Sequence, residues 1–172
     1  MPFEDEVDAF LSGWRKLSLV GVGNELRRDD AAGMAVVRAI ERASPKGVLT
    51  IIAGPVPENF SGSIKRAQPS HILFFDAVEM GATPGEFSLI REGDLAINAL
   101  STHKQSVKVL FMVLREGIPG VRIALVGIQP KTVDFGRGVS RPVSRGVKRL
   151  AVSILDVIGR TGGGSDGAKK DD

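Results

Sequence analysis

Short apolar runs and helical apolar patterns alternate along most of this chain. Five runs have the length and composition of strands: 17–22, 48–53, 72–75, 86–90 and 122–128. Helical spacing of apolar residues predicts helices over 3–11, about 30–43, from about 102 or 103 to beyond 114, and over about 143–158, with a short helical stretch before the third strand. The run at 86–90 follows the third strand too closely for a helical crossover, so it predicts an antiparallel edge strand.

This order predicts an α/β fold, namely a three-layer α/β/α sandwich around a mostly parallel five-stranded sheet with one antiparallel edge strand. A chain of 172 residues with 42% apolar residues is the size of one domain with a single buried core. We therefore expect one domain over 1–159, with the short N-terminal helix packed onto its body. Residues 160–172 are Gly-rich and polar, which predicts a disordered tail.

The charge and composition exclude several functional classes. The net charge of +3 is too small to demand a nucleic-acid partner. The chain has no cysteine, which excludes disulfides, thiol nucleophiles and cysteinyl metal sites. No apolar stretch is long enough to cross a bilayer and the first residues are acidic, so we expect a cytoplasmic protein without a membrane partner.

Polar residues with chemical potential lie where the predicted strands end. Asp29 and Asp30 follow the first strand, Asp76 follows the third, and His103 precedes the helix that leads to the last strand. Because ligands in such sheets bind at the carboxyl ends of the strands, we expect these groups to converge. Two carboxylates and one imidazole suit a divalent transition metal and leave positions open for a substrate.

Each of these residues also has a purely structural interpretation. Either Asp29 or Asp30 could cap the following helix, and a single histidine is more often structural than functional. Asp76 is harder to explain in this way, because the buried run before it would strip its carboxylate of water. His71 precedes its strand at the opposite edge of the sheet, which indicates a structural or surface role.

Three other patterns carry less weight. Residues 21–23 are Gly-Val-Gly, but the third glycine of a dinucleotide loop is missing and the paired aspartates would repel a pyrophosphate. Residues 163–167 match G-x-S-x-G by letters only, within the predicted tail. A basic cluster on the last helix is best interpreted as a solvated face rather than a dock for an acidic partner; it comprises Arg137, Arg141, Arg145, Lys148 and Arg149.

Five segments, taken in order, resemble the [NiFe]-hydrogenase maturation endopeptidases, and among them the type that serves hydrogenase-3-like enzymes. They are residues 21–33, 56–59, 75–86, 101–103 and 127–130, and the resemblance spans roughly residues 17–155. It implies a monomeric cytoplasmic protease that removes the C-terminal extension of a hydrogenase large-subunit precursor after nickel insertion.

The resemblance also implies a role for individual residues. Asp30, Asp76 and His103 match the positions of the metal ligands and catalytic residues of this aspartate- and histidine-dependent endopeptidase family. The nickel is supplied by the precursor, so the isolated protein is expected to be metal-free or to hold an adventitious ion. Asp29 is then left to cap its helix and Asn24 to stabilise a turn, while Gly21, Gly23 and Gly33 meet backbone requirements.

The mechanism and two alternatives stay open at this point. The chain has no cysteine and no serine in a triad-like context, so we expect water to be the nucleophile. The loop at 53–56 lacks a hydroxyl that relatives carry there. The alternatives are a receiver-like phosphoacceptor domain and an inactive scaffold of the same fold, or a related protease that acts on another precursor.

Overall fold

The central sheet has five strands, whose order across the sheet is 48–54, 17–22, 71–77, 122–128 and 87–91. The computed structural model describes residues 1–91, 93–94 and 104–162. The strands are β1 (Leu17–Val22), β2 (Val48–Gly54), β3 (His71–Ala77), β4 (Phe87–Arg91) and β5 (Arg122–Ile128). β4 pairs antiparallel with β5 and the other pairs are parallel, so the predicted sheet with one antiparallel edge strand is confirmed.

Helices cover both faces of this sheet. They are α1 (Phe3–Leu11), α2 (Ala32–Glu41), α3 (Ser61–Ala67), α4 (Lys104–Gly117) and α5 (Arg141–Thr161), and two 3₁₀ helices occupy Arg28–Ala31 and Pro57–Phe60. One apolar cluster joins α1, α2 and α5 to the sheet, and a second joins α3 and α4 to the other face. These two clusters confirm the predicted three-layer α/β/α sandwich.

Alternation along β3 shows how the two faces are built. Leu73 and Phe75 belong to the first cluster, whereas Ile72 and Phe74 belong to the second. All seven residues of β3 are buried, which is why its sequence is nearly continuously apolar rather than alternating. Asp76 lies on the same face as Phe74, toward the layer of α3 and α4.

The N-terminal helix is part of the core. Val7, Phe10 and Leu11 of α1 are buried in the first cluster, together with Trp14. The Trp14 indole Nε1 donates a hydrogen bond of 2.8 Å to Thr161 Oγ1 at the end of α5. α5 thus continues two residues into the predicted tail. Its last residue, Thr161, is bonded to Trp14, which lies far away in the sequence. The remainder of that tail, from residue 163, lies outside the described residues.

The structure also tests the expectation about membranes, within the ranges that it describes. No helix there combines the length and the apolar character that a bilayer-spanning segment requires.

Candidate active site

The carboxyl ends of β1 and β3 meet the first turn of α2 at very short range. A Cβ atom on Gly33 would lie 2.1 Å from the carbonyl oxygen of Phe75, so only glycine allows this approach. Gly23 has φ +144° and faces the backbone of Asp30, where a Cβ would also collide. The predicted backbone roles of Gly23 and Gly33 are therefore confirmed, and they place the segment carrying Asp30 against β3.

Asp30 and Asp76 are the two acids that this packing brings to one edge. Asp30 lies in the 3₁₀ helix Arg28–Ala31, which contacts β3, and Asp76 is the penultimate residue of β3. Their exposed fractions are 1% and 0%. Ligands of open α/β sheets bind at this edge, so two buried carboxylates there are candidates for a functional site.

The third predicted member, His103, lies outside the described residues, as do Ser101 and Thr102. Within the described ranges, no group of three His, Asp or Glu side chains is placed to hold a metal ion. The described part of the site therefore provides two carboxylates.

Asp29 has a different role from the predicted one. The N-cap residues of the 3₁₀ helix and of α2 are Arg27 and Ala31, and neither forms a side-chain cap, so the predicted capping of the following helix by Asp29 is wrong. Instead, the Asp29 carboxylate reaches across to the segment between β5 and α5. It accepts hydrogen bonds from the amides of Lys131 (2.9 Å) and Thr132 (3.1 Å), and from the amide (2.6 Å) and hydroxyl (2.8 Å) of Ser140.

The reason for this difference is the completeness of the burial. Asp29 is 0% exposed, and four donors satisfy its oxygens where a local cap would satisfy one or two. Ser140 is the residue before α5, so Asp29 places a negative charge at the positive end of a helix other than its own. The segment between β5 and α5 and the start of α5 are thereby fixed next to Asp30.

Asn24 performs the predicted turn-stabilising role. Its Oδ1 accepts a hydrogen bond of 2.9 Å from the amide of Leu26, which is an Asx turn. The same loop is tied to the segment before α5, because the Gly136 amide donates to the Leu26 carbonyl and the Arg28 amide donates to the Gly136 carbonyl. The loop between β1 and the first 3₁₀ helix is consequently held by its own Asx turn and by the backbone of Gly136.

Gln129 organises the loop after β3, a role that the sequence analysis missed. It is 3% exposed, and its Oε1 accepts hydrogen bonds from the amides of Met80 (2.7 Å) and Ala82 (3.2 Å). Its Nε2 donates to Glu79 Oε1 at 2.8 Å. A glutamine directly after a buried strand was the only available signal, and it does not reveal the partners.

The loop after β2 closes the same edge. The Gly23 amide donates to the Gly54 carbonyl, which joins this loop to the first one. Glu58 and Asn59 of the 3₁₀ helix Pro57–Phe60 are exposed to solvent. They are available to a bound polypeptide but are not part of the buried pair of carboxylates.

His71 lies at the opposite edge, as predicted, and its role is structural. It is the first residue of β3 and is 4% exposed, with its ring edge-on to Phe10. Burial and the nearby positive charge of Arg122 lower the pKa of His71 to about 4. His71 is therefore neutral at physiological pH and takes no part in the candidate site.

Comparison with known proteins identifies the family. The family model HycI, hydrogenase maturation protease, matches residues 34–157. The hydrogenase 3 maturation protease of Escherichia coli K12 is 33% identical over 134 residues, which is 77% of this chain and 84% of that protein. A Methanocaldococcus jannaschii protein named as a candidate hydrogenase maturation protease is 32% identical over 160 residues, 86% of this chain and 91% of its own.

Solved structures agree with the sequence comparison. The crystal structure of the [NiFe] hydrogenase maturation protease HycI from Thermococcus kodakarensis superposes with a TM-score of 0.77 at 25% identity, covering 90% of this chain and 99% of that one. The chain belongs to the HycI family of hydrogenase maturation proteases. This assignment makes it a hydrolase and sets aside the receiver-like alternative.

Proposed function

We propose that this protein removes the C-terminal extension of a [NiFe]-hydrogenase large-subunit precursor after nickel insertion. We further propose that Asp30, Asp76 and His103 contact the nickel that the precursor carries. The observation that carries the proposal is the placement of two fully buried carboxylates at one edge of the sheet, Asp30 on a 3₁₀ helix that packs on the strand bearing Asp76. Membership of the family supports the choice of substrate.

The position of α4 supports the inclusion of His103. Its first residue, Lys104, directly follows His103 in the chain. At the other end of α4, the Gly117 carbonyl accepts a hydrogen bond from the Gln68 side chain. Gln68 lies between the end of α3 and the start of β3, so this end of α4 is at the amino edge of the sheet. α4 therefore begins at the carboxyl edge, in the layer toward which Asp76 lies.

The chemistry of this donor set suits a metal-bearing substrate. Carboxylate oxygens and an imidazole nitrogen together bind divalent transition metals, and carboxylates offset the positive charge. Requiring nickel for binding restricts cleavage to precursors that have already been loaded. We also propose that the protein acts as a monomer in the cytoplasm and has no resident metal of its own.

Water is the proposed nucleophile for peptide hydrolysis, since the chain has no cysteine. Two routes to hydrolysis by this water are open to the site. In one, the nickel of the precursor polarises the scissile carbonyl. In the other, the Asp30 or Asp76 carboxylate takes a proton from water beside the nickel while the water oxygen attacks the scissile carbonyl carbon, and the same proton passes to the leaving amine as the C–N bond breaks.

The test compares cleavage of nickel-loaded and nickel-free precursor by the wild-type protein and by single variants. We expect Asp76→Ala and His103→Ala to lower the cleavage rate by at least about 10³-fold, with an unchanged fold by circular dichroism. Asp156→Ala, an exposed carboxylate on α5, is the matched control and should cleave normally. Full activity in both site variants would contradict the proposed roles, and failure of the wild type on loaded precursor would favour an inactive scaffold or another substrate.

A further inference from the structure

The N-terminal half of α5 and the loop before it expose a row of positive charges. Arg137, Arg141, Arg145 and Lys148 are all exposed, and we call these four residues the basic strip. No acidic residue occurs in the sequence between 135 and 155. Arg149 is not counted, because its guanidinium donates to the Gly85 carbonyl at 3.3 Å and lies over the Phe87 ring.

The basic strip is electrostatically unfavourable for the folded protein by itself. Arg141 and Arg145 are four residues apart and Arg145 and Lys148 are three apart, so their like charges are neighbours on one helix face. Arg141 also begins the helix, where the dipole favours a negative charge. Among the described residues, no carboxylate forms an ion pair with any of the four strip residues.

The basic strip is next to the candidate active site. α5 begins at the carboxyl edge, and its preceding residue, Ser140, is held by the carboxylate of Asp29, the chain neighbour of Asp30. The C-terminal half of α5 is occupied by α1, since Ser153 donates to Glu4 and Trp14 donates to Thr161. Arg137, Arg141 and Arg145 lie beyond these contacts, and Lys148 lies at their border, where it lines a surface cavity together with Glu4.

We propose that the basic strip binds an acidic surface of the large-subunit precursor and so positions its C-terminal segment at the Asp30 and Asp76 edge. This inference rests on the proposed function and adds a recognition surface outside the nickel contacts. Opposite charges across an interface accelerate encounter and fix its orientation. On binding, the repulsion among the positive charges of the strip would be offset by attraction to the acidic residues of the partner.

The surroundings of the strip favour a protein over a long polyanion. α1 carries Glu4, Asp5 and Glu6 in its first turn and packs against α5. A nucleic acid or an anionic membrane that extended along α5 would meet these carboxylates, whereas a protein can confine its acidic residues to the length of the strip.

The experiment compares two charge-reversal double variants that change the net charge equally. Arg145→Glu/Lys148→Glu alters the strip, and Arg42→Glu/Lys46→Glu alters two exposed residues after α2 at the opposite edge. With nickel-loaded precursor at low salt, we expect the strip variant to raise KM at least about tenfold with unchanged kcat, and the control to stay within about twofold. The wild-type KM should rise with salt toward that of the strip variant.

Direct binding to the precursor, to a short DNA duplex and to phosphatidylserine vesicles completes the design. Loss of precursor affinity in the strip variant alone supports the inference, even where no cleavage is observed. Equal precursor binding by both variants overturns it while leaving nickel-dependent cleavage untouched. Loss of DNA or vesicle binding with unchanged precursor binding also overturns it, and lack of cleavage by the wild type is a failure of the proposed function alone.

Discussion

At the scale of single residues, two adjacent aspartates differ in what surrounds them. Asp29 and Asp30 are both fully buried. The Asp29 carboxylate accepts hydrogen bonds from three backbone amides and one hydroxyl of the segment 131–140. Asp30 belongs to the edge that also carries Asp76. Replacing Asp29 should therefore lower mainly the stability of the protein, and replacing Asp30 should lower mainly its activity.

Replacing Asp29 should destabilise the protein. Asp29→Ala leaves four donors without their acceptor, and we expect the free energy of unfolding to fall by roughly 3 kcal/mol. Urea denaturation measures this change. Asp134→Ala removes an exposed acid from the same segment and should cost under about 0.5 kcal/mol; equal losses in the two variants would contradict the anchoring role.

His71 should make stability depend on pH. Its pKa is lowered to about 4 in the folded protein, against about 6.5 in the unfolded chain, so the unfolded state binds the proton more readily. The stabilising effect of neutral His71 is fully present above pH 6.5 and is lost as the pH falls from 6.5 to 4, by an amount on the order of 2 kcal/mol.

This dependence is measured by comparing the wild type with His71→Gln in chemical denaturation at several pH values. The variant should lose that part of the decline between pH 6.5 and 4, while the decline caused by carboxylates persists. Parallel curves for the two proteins would show that His71 does not titrate as described.

The sequence predicted several residue roles and missed others for a physical reason. Asn24 has a local signature, since an Asx turn bonds two residues along the chain. Asp29 and Gln129 bond to segments that are distant in the sequence, and no local pattern reveals such partners. The predicted site roles of Asp30, Asp76 and His103 stay predictions.

At the scale of elements, the close contact between α2 and β3 sets the site. Gly33→Ala would place a Cβ 2.1 Å from the Phe75 carbonyl oxygen and force the 3₁₀ helix away from β3. We expect unfolding free energy to fall by about 3 kcal/mol, with loss of cleavage. Thermal denaturation and the precursor assay measure the two effects.

Gly159 offers a matched control for this change. It lies in α5 with open space around its Cα, so Gly159→Ala should raise stability by about 0.5–1 kcal/mol through helix propensity. If Gly33→Ala were equally harmless, the close approach of α2 to β3 would not be required.

The element boundaries show where sequence patterns are informative. β1 and β5 were predicted without error, because a continuous apolar run bounded by polar residues defines a buried strand. The start of α2 was predicted poorly, because a 3₁₀ helix precedes it and the expected cap faces another segment. The last residue of α5, Thr161, accepts a hydrogen bond from Trp14, and the glycine-rich sequence beyond Thr161 gives no sign of this distant partner.

At the scale of the whole molecule, α1 contributes buried side chains to the core of the body. Deleting residues 2–12 removes the buried side chains of Val7, Phe10 and Leu11, which should cost roughly 5 kcal/mol of unfolding free energy. Fluorescence of Trp14, the single tryptophan, reports the exposure of this side of the core. Deleting residues 163–172, which belong to the predicted tail 160–172, should leave stability unchanged. An equal effect of both deletions would contradict this division.

The peptide bond between Asp29 and Asp30 joins the hydrogen-bonded anchor at Asp29 to the edge of the sheet that carries Asp76. Because Asp29 is clamped by the residues that begin α5, the distance from this clamp to Asp30 is fixed by covalent geometry. A displacement of α5 by a docked partner would be passed to Asp30 through the hydrogen bonds of Asp29 and one peptide bond. An insertion between the two aspartates would uncouple the grip on α5 from the position of Asp30, even with every side chain retained.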